Sequence, residues 1–259
     1  SDAIVWNRML ISFIALLSLQ LIQNKLIKVN SKDCLKYCLI GLLIAIHWIC
    51  FFESIKQSTV SLALICLSSV TLFTAILDPL IKKKKILLYE VLLSLLVIIG
   101  IAMVFNYETS YSKAIILSIL SAFFAALFTI FNHQLVNSKH PAITISTWEM
   151  LGGSIGMTIY LIIKNDFNKS IIPIGSDVIH ILILGLICTA FAFYASVEVM
   201  KQITPFTANL SVNLEPIYAI ILAIIFFGDD EKMSNGFYLG AIVILSSIIL
   251  NTIIKQKKN

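Results

Sequence analysis

Glu215 stands beside Pro216 near the middle of the apolar run Thr207–Phe227. A carboxylate at that depth costs about 2.5–3.5 kcal/mol in hydrocarbon on insertion scales, so by default it faces a cavity and acts there. The proline removes a backbone donor and loosens the helix locally. Two roles suit such a group: an acid that takes up and releases a coupling proton, or a structural acid hydrogen-bonded to a neighbouring helix. Asn209, Asn213 and Pro216 share one helical face at i, i+4 and i+7, and Glu215 is offset from Asn213 by two positions. Asn209 and Asn213 are therefore candidate contacts for substrate or backbone rather than for Glu215.

Further polar and aromatic residues sit inside apolar runs. Arg8 lies about one turn from the end of its run, where it either attracts an anionic substrate group or snorkels to the interface. Glu149 lies deeper, and a cavity-lining role competes with a structural one. About 14 Å along the membrane normal would separate Glu149 from Arg8, at 1.5 Å rise per residue, which argues against a direct bridge. His47 and Trp48 in one run, and Phe193 and Tyr194 in another, are candidate walls of a substrate cavity, with plain aromatic packing as the alternative. His47 has too few partners to suggest a metal, and no metal or other cofactor is expected. Gly152, Gly153 and Gly156 form a small-residue face suited to close helix packing. Asp78 reads as an interfacial charge paired with the lysine run 82–85, which itself suits anionic membrane lipid.

The elements that must position these residues are membrane helices. The chain is 59% hydrophobic and 13% charged, against about 25% charged in soluble domains. Windows of about twenty residues give nine spans, Ile4–Ile22, Leu35–Phe52, Val60–Leu80, Ile86–Phe105, Ala114–Asn132, Ala142–Ile163, Val178–Met200, Thr207–Phe227 and Phe237–Ile254. The expected fold class is an all-α polytopic membrane protein. The net charge of +5 comes from lysines in short loops, where it reports topology rather than nucleic-acid binding. With the C-terminus cytoplasmic, thirteen lysines fall inside and five outside, which satisfies the positive-inside rule. The five cysteines show no metal-ligand spacing and read as free thiols.

Glu53-Ser-Ile-Lys56-Gln57 closes the second span, and Glu198-Val-Met-Lys201-Gln202 closes the seventh, 145 residues later. Arg8-Met9-Leu10 echoes Glu149-Met150-Leu151 at an offset of 141. The first Lys-Gln loop lies outside and the second inside, so the halves are oppositely oriented, a plan recurrent among secondary transporters. The expected division is residues 1–105 as an N-terminal repeat of four helices and 106–259 as an inverted repeat of five. A first helix is expected to be missing before Ser1, from a ten-helix whole.

In these features the chain resembles the EamA-type branch of the drug/metabolite transporter superfamily. The resemblance rests on Trp6-Asn7-Arg8 opening the first span, on Asn213-Leu214-Glu215-Pro216-Ile217-Tyr218-Ala219, on Phe227-Gly228 before an acidic group, and on Gly240 in the last helix. It covers nearly the whole chain and implies ten helices in two inverted five-helix repeats. Two departures stand out. Gly228-Asp229-Asp230-Glu231 replaces the usual Gly-Glu, and Val70-Thr71 stand where the second half has Glu215-Pro216, so only one half keeps the Glu-Pro pair.

No zinc-protease, nucleophile-elbow or phosphate-cradling motif occurs, so no catalytic residues are assigned. The expected function is a secondary transporter, an exporter of small metabolites such as amino acids or amphipathic compounds. It would act across the cell membrane by alternating access, with proton coupling as one option. A membrane-embedded lipid-modifying enzyme and a non-transporting partner protein are the alternatives. Expected partners are a small-molecule substrate and membrane lipid, with a homodimer left open and no nucleic acid. Few cations lie at cavity depth, which disfavours polyanionic substrates.

Overall fold

The structure is a computed structural model and describes residues 2–24, 28–107, 109–137, 140–167, 171–212, 215, 222, 225–226 and 234–256. Its regular elements are all helical. They are α1 Asp2–Ile22, α2 Ser31–Lys56, α3 Val60–Leu67, α4 Val70–Ile81, α5 Leu88–Tyr107, α6 Ser112–Val136, α7 Ala142–Ile163, α8 Asp177–Gly185, α9 Ala192–Val199, α10 Pro205–Val212 and α11 Asn235–Gln256. Among the described residues, five helical stretches are long and apolar enough to cross a membrane: Asp2–Ile22, Ser31–Lys56, Val60–Ile81, Ser112–Val136 and Asp177–Val199.

Two spans that the sequence reads as single helices are interrupted. In Val60–Leu80 the break falls at Ser68-Ser69, where hydroxyls bond back to the chain. Ser69 Oγ donates to the Cys66 carbonyl at 2.8 Å, and Thr71 Oγ1 to the Ser68 carbonyl at 2.9 Å. Such local bonds compete with the helical ladder and bend it. In Val178–Met200 the π-helical segment Leu186–Phe191 joins α8 to α9.

Polarity is distributed as a lipid solvent demands. Ile14, Leu35, Leu39, Ile116 and Phe191 are exposed, while Asn7, Gln20, Asn132 and Glu149 are buried. Apolar side chains face hydrocarbon at no cost, and polar ones must find partners within the protein.

The chain forms two compact units, Ser1–Ile49 with Phe131–Thr204, and Cys50–Ile130 with Pro205–Asn259. Each draws on both halves of the sequence. In the first unit, α7 packs on α2 at backbone distance. A Cβ on Gly41 would collide with the Glu149 carbonyl oxygen, and one on Gly152 with the Cys38 backbone. Gly153 receives the Met9 side chain of α1. Hydrogen bonds add to this contact. Gln20 Nε2 donates to Thr147 Oγ1 at 2.6 Å, and Thr144 Oγ1 donates to Gln20 Oε1 at 3.1 Å. At the opposite end, Trp6 Nε1 donates to Thr158 Oγ1 at 2.8 Å. Lys164 lies 2.7 Å from Asp2 and 3.1 Å from Asp166, and these acids push its pKa up.

In the second unit, Leu62, Ile65, Cys66, Val97, Ile115 and Ala241 form a buried cluster from α3, α5, α6 and α11. The Ser118 hydroxyl of α6 donates to the Ala63 carbonyl of α3. Asp78 pairs with Lys82 at 2.6 Å, one turn on.

The glycine contacts yield a graded prediction. Gly41→Ala and Gly152→Ala force backbone against backbone and should each lower stability by about 1–3 kcal/mol. Gly156→Ala meets only the movable Cδ2 of Leu42 and should cost much less. Thermal unfolding of the three variants in detergent checks this order, and equal losses would contradict it.

Candidate functional site

Arg8 is buried in α1 with 8% of its surface exposed. Its Nε donates to Thr189 Oγ1 at 3.0 Å, and its guanidinium carbon lies 3.7 Å above the Trp48 ring. A desolvated cation over an indole gains about 2 kcal/mol. Thr189 belongs to the π-helical segment, and its hydroxyl donates to the Leu184 carbonyl five residues back at 2.7 Å. That donation leaves the oxygen lone pair to accept from Arg8. Next to this group, Ser12 Oγ lies 2.7 Å from the Gly185 carbonyl and 2.6 Å from the Arg8 carbonyl. Gly185 also lies against Ile11, so α1 rests directly on the start of the π-helical segment. Irregular helical turns of this kind recur at functional sites, because they free backbone groups and re-aim side chains.

Asn7, one residue before Arg8, donates to the Ile171 carbonyl at 2.7 Å and to the Ala3 carbonyl at 2.8 Å. It lines a cavity of about 310 Å³ together with Ile4, Ile171, Asp177 and His180. A larger cavity of about 510 Å³ lies at the start of α2, lined by Asn30, Lys32, Asp33, Lys36, Tyr37 and His140. There Asn30 caps α2 by accepting the Asp33 N–H at 2.8 Å, and Tyr37 Oη lies 2.7 Å from His140 Nδ1.

Glu149 is wholly buried on α7. Neither of its carboxylate oxygens has a hydrogen-bond partner, so Arg8 does not reach it. Its neighbour is the side chain of Asn132 from α6, also wholly buried, with neither amide atom bonded elsewhere. His47 is buried on α2 beside Trp48, and Phe193 and Tyr194 are half-buried on α9.

The residues read from the last third of the chain are placed differently. Asn209 belongs to the second unit, where its Nδ2 donates to Thr74 Oγ1 at 2.7 Å and its Oδ1 lies 3.2 Å from Thr129 Oγ1. The carboxamide thus ties α10 to α4 and α6. Glu215 is helical and exposed. Asn213 lies outside the described residues. The structure therefore gathers Arg8, Trp48 and Thr189 at one point of the first unit, and Glu149 with Asn132 at another. Thr189 carries no sequence signal, since nothing in Leu-Ile-Cys-Thr-Ala-Phe announces a π turn. Asn132 did carry one, as an amide closing an apolar span. Among the described residues, no group of three or more His, Cys, Asp or Glu could hold a metal.

Asn209→Leu should remove both inter-helix bonds while leaving the Thr74 and Thr129 hydroxyls on their own backbone acceptors. The expected cost is about 1–3 kcal/mol, at roughly 0.5–1.5 kcal/mol per bond, read as a lower unfolding temperature. An unchanged temperature would show that the amide serves something other than the fold.

The comparisons with known proteins agree with one another. The chain is 24% identical over 216 residues to the uncharacterized transporter YdfC of Bacillus subtilis (strain 168), covering 80% of this chain and 67% of that protein. It is 22% identical over 238 residues to the uncharacterized transporter YxxF of the same organism, covering 91% and 75%. A WAT1-related protein of Arabidopsis thaliana is 29% identical over 140 residues, and the match spans 53% of this chain and 41% of the plant protein. A solved crystal structure superposes with a TM-score of 0.71 over 98% of this chain and 88% of the other, at 14% identity, a likeness of fold alone. Residues 1–106 and 112–253 match the model of the EamA-like transporter family, so the chain belongs to that family and is a membrane transporter.

Proposed function

We propose that this transporter exports small metabolites bearing a carboxylate, such as amino acids or amphipathic acids. It works across the cell membrane by alternating access, driven by the proton gradient, with its C-terminus in the cytoplasm. The observation that carries this reading is the buried Arg8 guanidinium held between Trp48 and Thr189. A guanidinium matches a carboxylate with two parallel hydrogen bonds, and the indole beside it suits an apolar substituent. Arg8 is the one arginine of the chain, and the lysines cluster at helix ends and loops. A single fixed cation suits a monoanion better than a sugar phosphate or a nucleotide.

Contacts within the first unit support the inverted repeat behind alternating access. Ser12 and Gly153 are equivalent at the 141-residue offset, and Gly41 lies within one residue of the equivalent of Gly185 at the 145-residue offset. Ser12 meets the Gly185 carbonyl, and Gly153 meets the Gly41 carbonyl. Thus α1 crosses the α8 segment as α7 crosses α2.

The test is efflux of a mixed amino-acid and organic-acid pool from proteoliposomes, read by mass spectrometry with and without a proton gradient. Arg8→Lys keeps the charge but loses the planar fork, and should slow carboxylate efflux at least about tenfold, the equivalent of one charge-assisted hydrogen bond. Wild-type rates in Arg8→Lys would contradict the assignment.

A further inference from the structure

Glu149, Asn132 and Ser146 are wholly buried in the first unit, and five of their polar side-chain atoms have no hydrogen-bond partner. These are both Glu149 carboxylate oxygens, Asn132 Oδ1 and Nδ2, and Ser146 Oγ. Interiors rarely leave polar atoms in that state, and each one costs about 1–3 kcal/mol. A concentration of five on two neighbouring helices points to something that these groups bind.

Counting donors identifies it. An ionised Glu149 offers only acceptors, and Asn132 offers two N–H donors from one nitrogen and one acceptor. Pairing the amide N–H with the carboxylate leaves Asn132 Oδ1 without a donor, next to a buried negative charge. One added proton changes this. The acid O–H then donates to Asn132 Oδ1, the amide N–H donates to the other carboxyl oxygen, and four of the five atoms are satisfied in one ring. Net charge at the pair falls to zero, which is the cheaper form in apolar surroundings.

We propose that Glu149 and Asn132 form a proton-carrying pair, in which Glu149 binds the coupling proton and Asn132 positions it. This rests on the transport function proposed above and names the group that would couple it to the proton gradient. Ser146 lies one turn before Glu149 on α7, where a short hydroxyl is placed to donate to the carboxylate once the proton has left.

From α2 the Cys38 thiol faces Glu149, and its Sγ–H points to the Trp148 carbonyl at 3.5 Å. His47 is a further titratable group buried on the same helix. From α1 the charged group is Arg8, held by Thr189 and Trp48. The Glu149 carbonyl rests on Gly41, so the α7 backbone that carries the acid is held against α2. A neutral pair crosses the closed state without stranding a charge, and loss of the proton requires the site to open toward water.

Infrared spectroscopy of the full chain in lipid membranes at neutral pH tests the pair without any substrate. A protonated carboxyl shows a C=O stretch above the amide I band, where ionised surface acids do not absorb. The wild type should show this band, Glu149→Gln should lose it, and Asn132→Leu should keep it but shift it upward as the amide donor is lost. A wild-type spectrum without the band, a band that survives Glu149→Gln, or a band unmoved by Asn132→Leu would overturn the proposal. In the efflux assay, Glu149→Gln should carry metabolites at a rate that ignores the gradient. Wild-type membranes with the band but without metabolite movement would support the pair and count against the transport reading instead.

Discussion

Backbone-distance packing between α2 and α7 is the constraint on which the first unit depends. In lipid no hydrophobic effect drives one helix onto another, because the tails are as apolar as leucine. Association comes from close van der Waals contact and from polar bonds between helices. Gly41 and Gly152 permit that closeness, and the Glu149 carbonyl sits where any side chain on Gly41 would be. With α7 so placed, its Thr144, Ser146, Thr147 and Glu149 are buried rather than left facing hydrocarbon. The bonds from Gln20 to Thr144 and Thr147, and the seat of Met9 on Gly153, then fix α1. Fixing α1 delivers Arg8 to Trp48 and Thr189.

Arg8 and Glu149, two of the buried ionisable groups of this unit, are handled by different means. The cation keeps its charge through an aromatic face and a hydroxyl whose own proton is already committed. The acid has an amide, which can satisfy it fully only when it carries a proton. Such a division suits the carrier proposed above, in which α1 presents charge to a substrate and α7 exchanges a proton. The second unit shows the opposite economy. Its Asn209, Thr74 and Thr129 consume one another's hydrogen-bonding capacity and hold three helices together.

Much of the fold was legible in the sequence, because span length and apolar content are direct consequences of the solvent. The glycines 152, 153 and 156 read correctly as a packing face, but their partner Gly41, alone in its run, gave no such signal. Hydropathy hides both helix interruptions for a physical reason. Hydropathy windows average over turns, and a π-helical segment or a Ser-Ser bend changes hydrogen bonding without changing hydropathy. The pair Ser68-Ser69 followed by Thr71 was the available clue to the second. Arg8 and Trp48 were found separately as candidates, yet their stacking depends on helix rotation and tilt, which residue spacing does not encode. Glu215 stands out in the sequence by its depth in an apolar run, and the fold adds Glu149 as a wholly buried acid; Asn132 and Ser146 gain meaning only from the unpartnered polar atoms that the folded chain leaves on them. Spacing offers Asn209 as a substrate contact, because its threonine partners lie 80 and 135 residues away.

In the proposed carrier, the Arg8, Trp48 and Thr189 centre lies on the substrate path and presents positive charge there. The most direct measurement is modification of Thr189→Cys, in a background with the five native cysteines replaced, by matched anionic and cationic methanethiosulfonates in membranes. The anionic reagent should react faster than the cationic one, and Arg8→Gln should abolish the difference. Equal rates for both reagents, or no reaction with either, would contradict this placement and leave Arg8 as a structural cation sealed within the helices.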